Sequence, residues 1–167
     1  KILTILKIKE NIILKAINNF KGLPHRNEIF YCKNGITFIN DSKATSFDAA
    51  RHVLKNNNNI FWIVGGLPKL NDRFKLYDIK NNIIKSYIIG NNINHFKKQI
   101  GKMIKCETSL TIEKALRNII KDLILLNLKK ATVILSPASA SYDQFSNFAE
   151  RGNRFKELTL KYARKFL

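Results

Sequence analysis

The sequence predicts an α/β domain, a mostly parallel sheet of about six strands flanked by helices. Two observations carry that expectation. Short apolar runs such as Ile60–Val64 and Thr132–Leu135 alternate with longer segments whose apolar residues recur at helical spacing, such as Leu110–Leu126. Several of the short runs stop at Gly or Ser-Pro, the punctuation of strand ends. Strands that alternate with helices imply parallel pairing through right-handed crossovers.

Taken in order, Glu10 to Phe20 places Ile12, Ile13, Ala16, Ile17 and Phe20 on one stripe of an amphipathic helix. Gly22 and Pro24 end it. Glu28–Cys32 and Ile36–Ile39 read as two strands around Asn34-Gly35, the strongest short hairpin signal. Phe47–Leu54 is a helix with Thr45 or Ser46 as its cap, and the asparagine run after it is a turn. Ile60–Val64 is a buried strand closed by Gly65-Gly66. Leu76–Ile84 is expected as a short helix, Ser86–Ile89 as a strand closed by Gly90, and Ile93–Ile100 as a helix. Met103–Cys106 is expected as a short strand and Leu110–Leu126 as a long helix capped by Thr108 or Ser109. Thr132–Leu135 is the last strand, and Asn153–Phe166 the closing helix. No internal repeat appears.

Length and composition fit this scheme. A chain of 167 residues suits one domain, or one domain with a remnant of another. The hydrophobic fraction of 45% supports a real core, and no apolar run approaches the roughly 18 residues that span a bilayer. The first twenty residues interleave lysines with Ile and Leu and show no signal-peptide pattern. Cys32 and Cys106 match no metal or redox spacing, so a reduced, cytoplasmic protein is expected.

The net charge of +18 raises nucleic-acid or membrane binding as a reading. The positive residues are spread along the chain, however, and lysine far outnumbers arginine. Lysine, asparagine and isoleucine are overused together, as AT-rich codons would impose. There is no aromatic RNA-binding motif, no zinc-finger spacing and no basic recognition helix. No specific nucleic-acid partner and no membrane partner are expected.

Three places carry candidate chemistry. After the second strand comes Asn40-Asp41-Ser42-Lys43-Ala44-Thr45. If this loop stays extended, Asp41, Lys43 and Thr45 share a face, since side chains alternate along extended backbone. Capping accounts for Thr45 and for Asp48, but not for Asp41 or Lys43. Gly65-Gly66 lets the backbone approach a ligand closely, and Lys69 just beyond it suits an anion, although a solvated loop lysine is the simpler reading. Thr132 to Arg154 runs from a strand through the small residues Ala138–Ser141 into a helical segment, the place where open α/β sheets put ligands.

Absent motifs exclude several classes. There is no G-x-G-x-x-G after the first strand, no G-x-x-x-x-G-K-[ST] triphosphate loop and no G-x-S-x-G elbow. His25, His52 and His95 are scattered and pair with no cysteine or carboxylate cluster in sequence, and His52 is expected at the surface. Ser141 with Asp143 has no neighbouring base and so is no nucleophile arrangement.

Four segments together resemble a known family. They are Gly22-Leu23-Pro24-His25-Arg26, Ile39-Asn40-Asp41-Ser42-Lys43-Ala44-Thr45, Gly65-Gly66 with Lys69, and Leu135-Ser136-Pro137-Ala138-Ser139-Ala140-Ser141-Tyr142-Asp143-Gln144-Phe145 continuing to Phe148 and Glu150-Arg151-Gly152. In order and spacing they look like the C-terminal part of the Mur ligases, in particular the members that add D-glutamate during peptidoglycan synthesis. The resemblance runs from Gly22 onward and implies a Rossmann-like C-terminal domain at 22–167. Residues 1–21 look like the last helix of the central ATP-binding domain.

The resemblance implies an ATP-dependent amide ligase. ATP phosphorylates the carboxylate of UDP-N-acetylmuramoyl-L-alanine to an acyl phosphate, the amine of D-glutamate attacks it, and phosphate leaves. It also implies a cytoplasmic monomer engaged in cell-wall biogenesis, and through it in cell shape and division. Carried over residue by residue, Arg26 and Asp41 match nucleotide-binding positions, the arginine at the phosphates and the aspartate at the ribose. Lys43, Thr45, Lys69, Ser141, Tyr142 and Phe148 match positions around D-glutamate and the transferred phosphate, with Lys43 and Lys69 as catalytic cations. The chemistry agrees: a dicarboxylate needs cations and hydroxyl donors, and cations stabilise charge that develops at an acyl phosphate.

One departure is Ser139, where the family often has cysteine; that side chain is not the nucleophile, so little loss is expected. The larger departure is the equipment expected upstream of Lys1: the UDP-binding domain, the triphosphate loop and the ligands of Mg2+. No metal ligands are expected in this chain, and catalysis by it alone is not. Three readings follow: the C-terminal part of a D-glutamate-adding ligase, a stand-alone α/β binding module, or a basic nucleic-acid-binding protein.

Overall fold

The computed structural model describes residues 2–75 and 77–166. A short helix α1 (Ile2–Ile5) and a longer helix α2 (Glu10–Asn19) precede a six-stranded sheet. The strands are β1 (Glu28–Lys33), β2 (Ile36–Asn40), β3 (Ile60–Gly65), β4 (Ile83–Ile89), β5 (Cys106–Leu110) and β6 (Ala131–Leu135). Their order across the sheet is β1-β2-β6-β3-β4-β5. Among these strands β1 with β2 is the antiparallel pair, a hairpin turning at Asn34-Gly35 with both residues at positive φ. All other pairs are parallel. Helices α3 (Phe47–Lys55), α4 (Ile93–Ile100), α5 (Ile112–Leu126) and α6 (Phe148–Phe166) cover the sheet.

The central strands β3 and β6 are buried along their whole length, which is why they read as largely apolar runs without charged residues. Alternate side chains feed two separate cores. Ile39, Trp62, Val64 and Ile134 pack with α3 and α4, through Phe47, Val53, Leu54, Phe96 and Ile100. Phe38, Phe61, Ile63, Val133 and Leu135 pack with α5 and α6, through Leu116, Ile119, Phe155 and Leu158. Full burial of each such large side chain stabilises by about 1.5–3 kcal/mol. Trp62 also ties the core to a loop, since its indole N–H donates to the Ser136 carbonyl at 2.7 Å.

A polar cluster joins β4, β5 and α5 at the far side of the sheet. Lys85 Nζ lies 2.5 Å from Asp122 Oδ2 and 2.6 Å from Glu107 Oε2. The buried Tyr87 hydroxyl donates to the same Asp122 oxygen at 2.5 Å. Burial pushes the Lys85 ammonium down, but its two carboxylate partners win and leave its pKa raised. Burial and then the Asp122 hydrogen bond push the Tyr87 phenol upward.

Several boundaries differ from expectation. The helix expected at Leu76–Ile84 is only a turn with one 3-10 segment at Lys80–Asn82, and β4 already begins at Ile83. Its first residue Leu76 lies outside the described residues, as does Lys1 at the head of the 1–21 segment. The strand expected at Met103–Cys106 begins where that range ends, at Cys106; Met103 and Ile104 pack on the core from a loop instead. Thr108 and Ser109 therefore belong to β5, and the cap of α5 is Thr111, whose hydroxyl accepts from Lys114 N–H. Helix α6 starts at Phe148, five residues before the expected Asn153. Helix α2 forms as expected, but none of its residues is buried, and Ile12, Ile17 and Phe20 face solvent. Among the described residues, no helix is long and apolar enough to cross a membrane.

Candidate binding site at the strand ends

Parallel pairing puts the C-terminal ends of β2, β6, β3 and β4 on one edge, and their loops meet there. Pairing continues beyond the strands. Asp41 N–H donates to the Leu135 carbonyl at 2.8 Å, and Gly65 N–H to the Pro137 carbonyl at 2.9 Å. Leu67 and Ala140 exchange two backbone bonds of 3.0 Å. Gly66, at φ 138°, allows this approach, because a Cβ there would lie 2.5 Å from the Ala140 carbonyl oxygen. Ala138, buried in the β6 loop, holds φ at 55°, a left-handed conformation uncommon outside glycine.

Asp41 is buried under this edge. Its Oδ2 accepts from the Ser136 hydroxyl at 2.7 Å and its Oδ1 from Asn27 N–H at 3.0 Å. Burial pushes its pKa above the ordinary carboxylate value, and those two hydrogen bonds oppose the shift. The loop does not stay extended past Asp41. Ala44 N–H folds back onto the Asp41 carbonyl at 2.9 Å, so the expected shared face of Asp41, Lys43 and Thr45 does not form. Asp41 turns into the sheet, Lys43 reaches across to α6, and Thr45 is exposed. Ser46, not Thr45, caps α3, accepting from Ala49 N–H.

Other residues do converge. Arg26, Asn27, Asp41, Lys43 and His52 line one cavity of about 240 Å³. Lys43 Nζ stands 3.9 Å from the centre of the Phe148 ring, and His25 meets the same ring edge-on at 5.9 Å. His25 is buried, accepts Lys43 N–H at its carbonyl (3.0 Å) and places Nδ1 2.9 Å from Asn40 Nδ2. Its backbone N–H donates to the Glu28 carboxylate at 3.0 Å. Burial holds its ring below the ordinary imidazole pKa, against the pull of the Glu28 carboxylate. Burial pushes the Glu28 carboxyl upward, but Lys156, 2.6 Å away, and His25 together outweigh it and leave the pKa lowered. Gly152 makes this packing possible, because a Cβ there would lie 2.3 Å from His25 Nδ1.

The remaining expected residues sit apart from that cavity. Lys69 is exposed and lines a second cavity of about 470 Å³ with Ser46, Asp48, Asp72, Arg73 and Lys75. Ser141 is buried in the β6 loop, where its carbonyl accepts from Gln144 and Phe145 N–H. Tyr142 is 71% exposed. His52, by contrast, lines the first cavity, from the surface as expected.

Curated relatives match the sequence over nearly the whole chain. The UDP-N-acetylmuramoylalanine–D-glutamate ligase of Bradyrhizobium diazoefficiens is 37% identical over 151 residues, 90% of this chain and 32% of that protein. The protein of the same name from Nitrobacter hamburgensis is 39% identical over 153 residues, 92% of this chain and 33% of that one. The chain resembles the C-terminal domain of these ligases. It spans about a third of their length. No protein-family model matches it. Among solved structures, a bifunctional folylpolyglutamate synthase/dihydrofolate synthase from Yersinia pestis superposes with a TM-score of 0.59 at 13% identity, over 90% of this chain and 34% of that one. That likeness is one of fold: the Rossmann-like α/β domain expected from the ligase resemblance.

Two residues that organise the edge escaped sequence reading. Ser42 and Arg151 are both buried, and both lie inside the ligase-like segments without a role attached. The start of α6, which places Arg151 in its first turn, did have a signal. Asn147 Oδ1 accepts from Glu150 N–H at 2.9 Å and Glu150 accepts from Ser146 N–H at 2.8 Å, a variant of the capping box spelled Asn-x-x-Glu.

Proposed function

We propose that this chain is the D-glutamate-binding, nucleotide-capping part of an ATP-dependent amide ligase. The ligase joins D-glutamate to UDP-N-acetylmuramoyl-L-alanine through an acyl phosphate in cytoplasmic peptidoglycan synthesis. Residues 22–167 form its C-terminal domain, and 1–21 the end of a central ATP-binding domain. The observation that carries the reading is the gathering of Arg26, Asp41 and Lys43 around one cavity, with Phe148 against Lys43.

The residues divide the work by charge. Arg26 and the buried Asp41 meet the nucleotide, the guanidinium at a phosphate and the carboxylate at a ribose hydroxyl. A cavity of about 240 Å³ suits such a fragment and not a whole nucleotide, as expected of a surface that closes over one bound elsewhere. Lys43 and Lys69 bring cations to the carboxylates of D-glutamate and to the phosphate, while Thr45 and Ser141 supply hydroxyl donors and Tyr142 and Phe148 bound the site. Lys69 and Thr45 stand outside the Arg26–Asp41–Lys43 cavity, so ligand spans the loops rather than filling one pocket. The ligase resemblance places the Mg2+ ligands in the central domain, and among the described residues no three His, Cys, Asp or Glu side chains gather.

The test is a chimera that carries the upstream two-thirds of the Bradyrhizobium relative joined to this chain. Ligation of D-glutamate by the chimera, with loss of rate in Lys69→Ala and Ser141→Ala, is the expected result. A fully folded chimera that ligates at wild-type rate with both substitutions overturns the site assignment.

A further inference from the structure

We propose that Arg151 is a positioning residue whose buried guanidinium fixes the loop after β2 and the loop after β6 against each other, and so presents Lys43 and Ser141 in one arrangement. The assignment of Lys43 and Ser141 to D-glutamate rests on the reading above; the mechanical claim does not.

Arg151 is 1% exposed, although arginine is almost never fully buried unless paired. Among the described residues it forms no ion pair within 4.0 Å. Its bonds go to neutral groups on two loops. Nε donates to the Ser42 hydroxyl at 3.0 Å, and Nη2 donates to the Ser42 carbonyl at 2.8 Å and the Ser139 carbonyl at 3.0 Å. The Ser42 hydroxyl passes the link on, donating to the Phe148 carbonyl at 2.8 Å. Ser42 is the residue before Lys43 and Ser139 lies two before Ser141, so one side chain sets the backbone on which both are mounted.

The third branch is unsatisfied. Nη1 is buried with no hydrogen-bond partner among the described residues and faces Gly66, where a Cβ would lie 3.3 Å from it. The guanidinium therefore also abuts the loop after β3. A group used only to fill space there would be apolar, because an unpaired buried charge is strongly unfavourable. What guanidinium offers instead is a rigid fork that meets several carbonyls at fixed angles, which neither lysine nor a neutral chain reproduces. Burial drives its pKa down to about 10, with Asp143 opposing, so it stays charged at neutral pH.

The test uses the whole chain with Arg151→Lys and Arg151→Met, read by residue-resolved amide hydrogen exchange and by D-glutamate titration. In both variants the amides of Lys43 and Ala140 exchange at least about tenfold faster while those of Ile63 and Ile134 stay protected, and any D-glutamate affinity of the wild type falls about tenfold. Ser42→Ala, which keeps the guanidinium, loosens Lys43 and leaves Ala140 as it was. Unchanged protection at Lys43 and Ala140, or an equal loss at Ile63 and Ile134, overturns the proposal. Should the Arg151 variants not fold, Ser42→Ala decides alone: equal loosening of Lys43 and Ala140, or of neither, overturns it. If the wild-type chain shows no D-glutamate binding in isolation or in the chimera, the ligand reading fails while the exchange result still decides the role of Arg151.

Discussion

Lys43 holds its ammonium 3.9 Å above the centre of the Phe148 ring, which joins the loop after β2 to the first residue of α6. The contact is a cation–π pair at a half-buried place, worth about 0.5–1 kcal/mol. A double-mutant cycle of Lys43→Met and Phe148→Leu in urea is expected to return a coupling of that size. A coupling of zero would mean that the two side chains merely lie near each other.

Gly66→Ala is expected to destabilise the chain by about 2 kcal/mol or more, from a disallowed φ and a contact with the Ala140 carbonyl together. The loss comes with faster exchange at the Leu67 and Ala140 amides. Wild-type urea midpoints would show that the β3 loop is not bound to its present path.

His25 gives a pH signature. Its folded pKa lies below the ordinary 6.5, so its contribution to stability is complete above that value and is lost as pH falls through the lower folded value. Urea midpoints of the wild type should drop between about pH 7 and pH 5, and those of His25→Gln should drop less. The groups around the ring, Glu28, Lys156 and Asn40, are unchanged by that substitution. Parallel curves would assign the titration elsewhere.

Lys69 is exposed, so Lys69→Ala should leave stability within about 0.5 kcal/mol of wild type. In the chimera it should raise the KM for D-glutamate about tenfold, the loss of one charge-assisted hydrogen bond. An unchanged KM would remove Lys69 from the site.

Asp122→Ala strands the Tyr87 hydroxyl in the core and takes one of two carboxylates from Lys85. Calorimetry should show a loss of about 2–3 kcal/mol. A near-neutral result would mean that Glu107 alone suffices.

Which parts were legible in the sequence follows from how each element is buried. β3 and β6 could be read because both of their faces are covered, so no charged residue interrupts them. β5 was displaced because Cys-Glu-Thr-Ser-Leu is a polar edge strand, while the apolar Met103 and Ile104 beside it pack from a loop. The cavity of Arg26, Asp41 and Lys43 was half legible. Its residues could be picked from the ligase-like segments, but the turn at Asp41–Ala44 that separates Thr45 from them rests on bonds to distant residues, His25 and Arg151 among them. Arg151 could not be picked at all, since nothing local distinguishes an arginine that will be buried against serine carbonyls from one in solvent.

The place of β6 in the sheet has a kinetic consequence. It is the last strand in sequence, yet β2 and β3 touch only through it. A growing chain that has not yet reached Ala131 holds two unfinished pieces, the β1–β2 hairpin and the β3–β4–β5 ribbon, each with a bare edge where β6 will sit. Both edges are adhesive to other chains until that slot is filled. Assembly therefore ends in the middle of the sheet, by insertion of a segment some seventy residues away from β3 in sequence, which makes for slow, late-committing folding. The binding edge comes into being only at that last insertion, because the Ser136–Ser141 loop is carried in on β6.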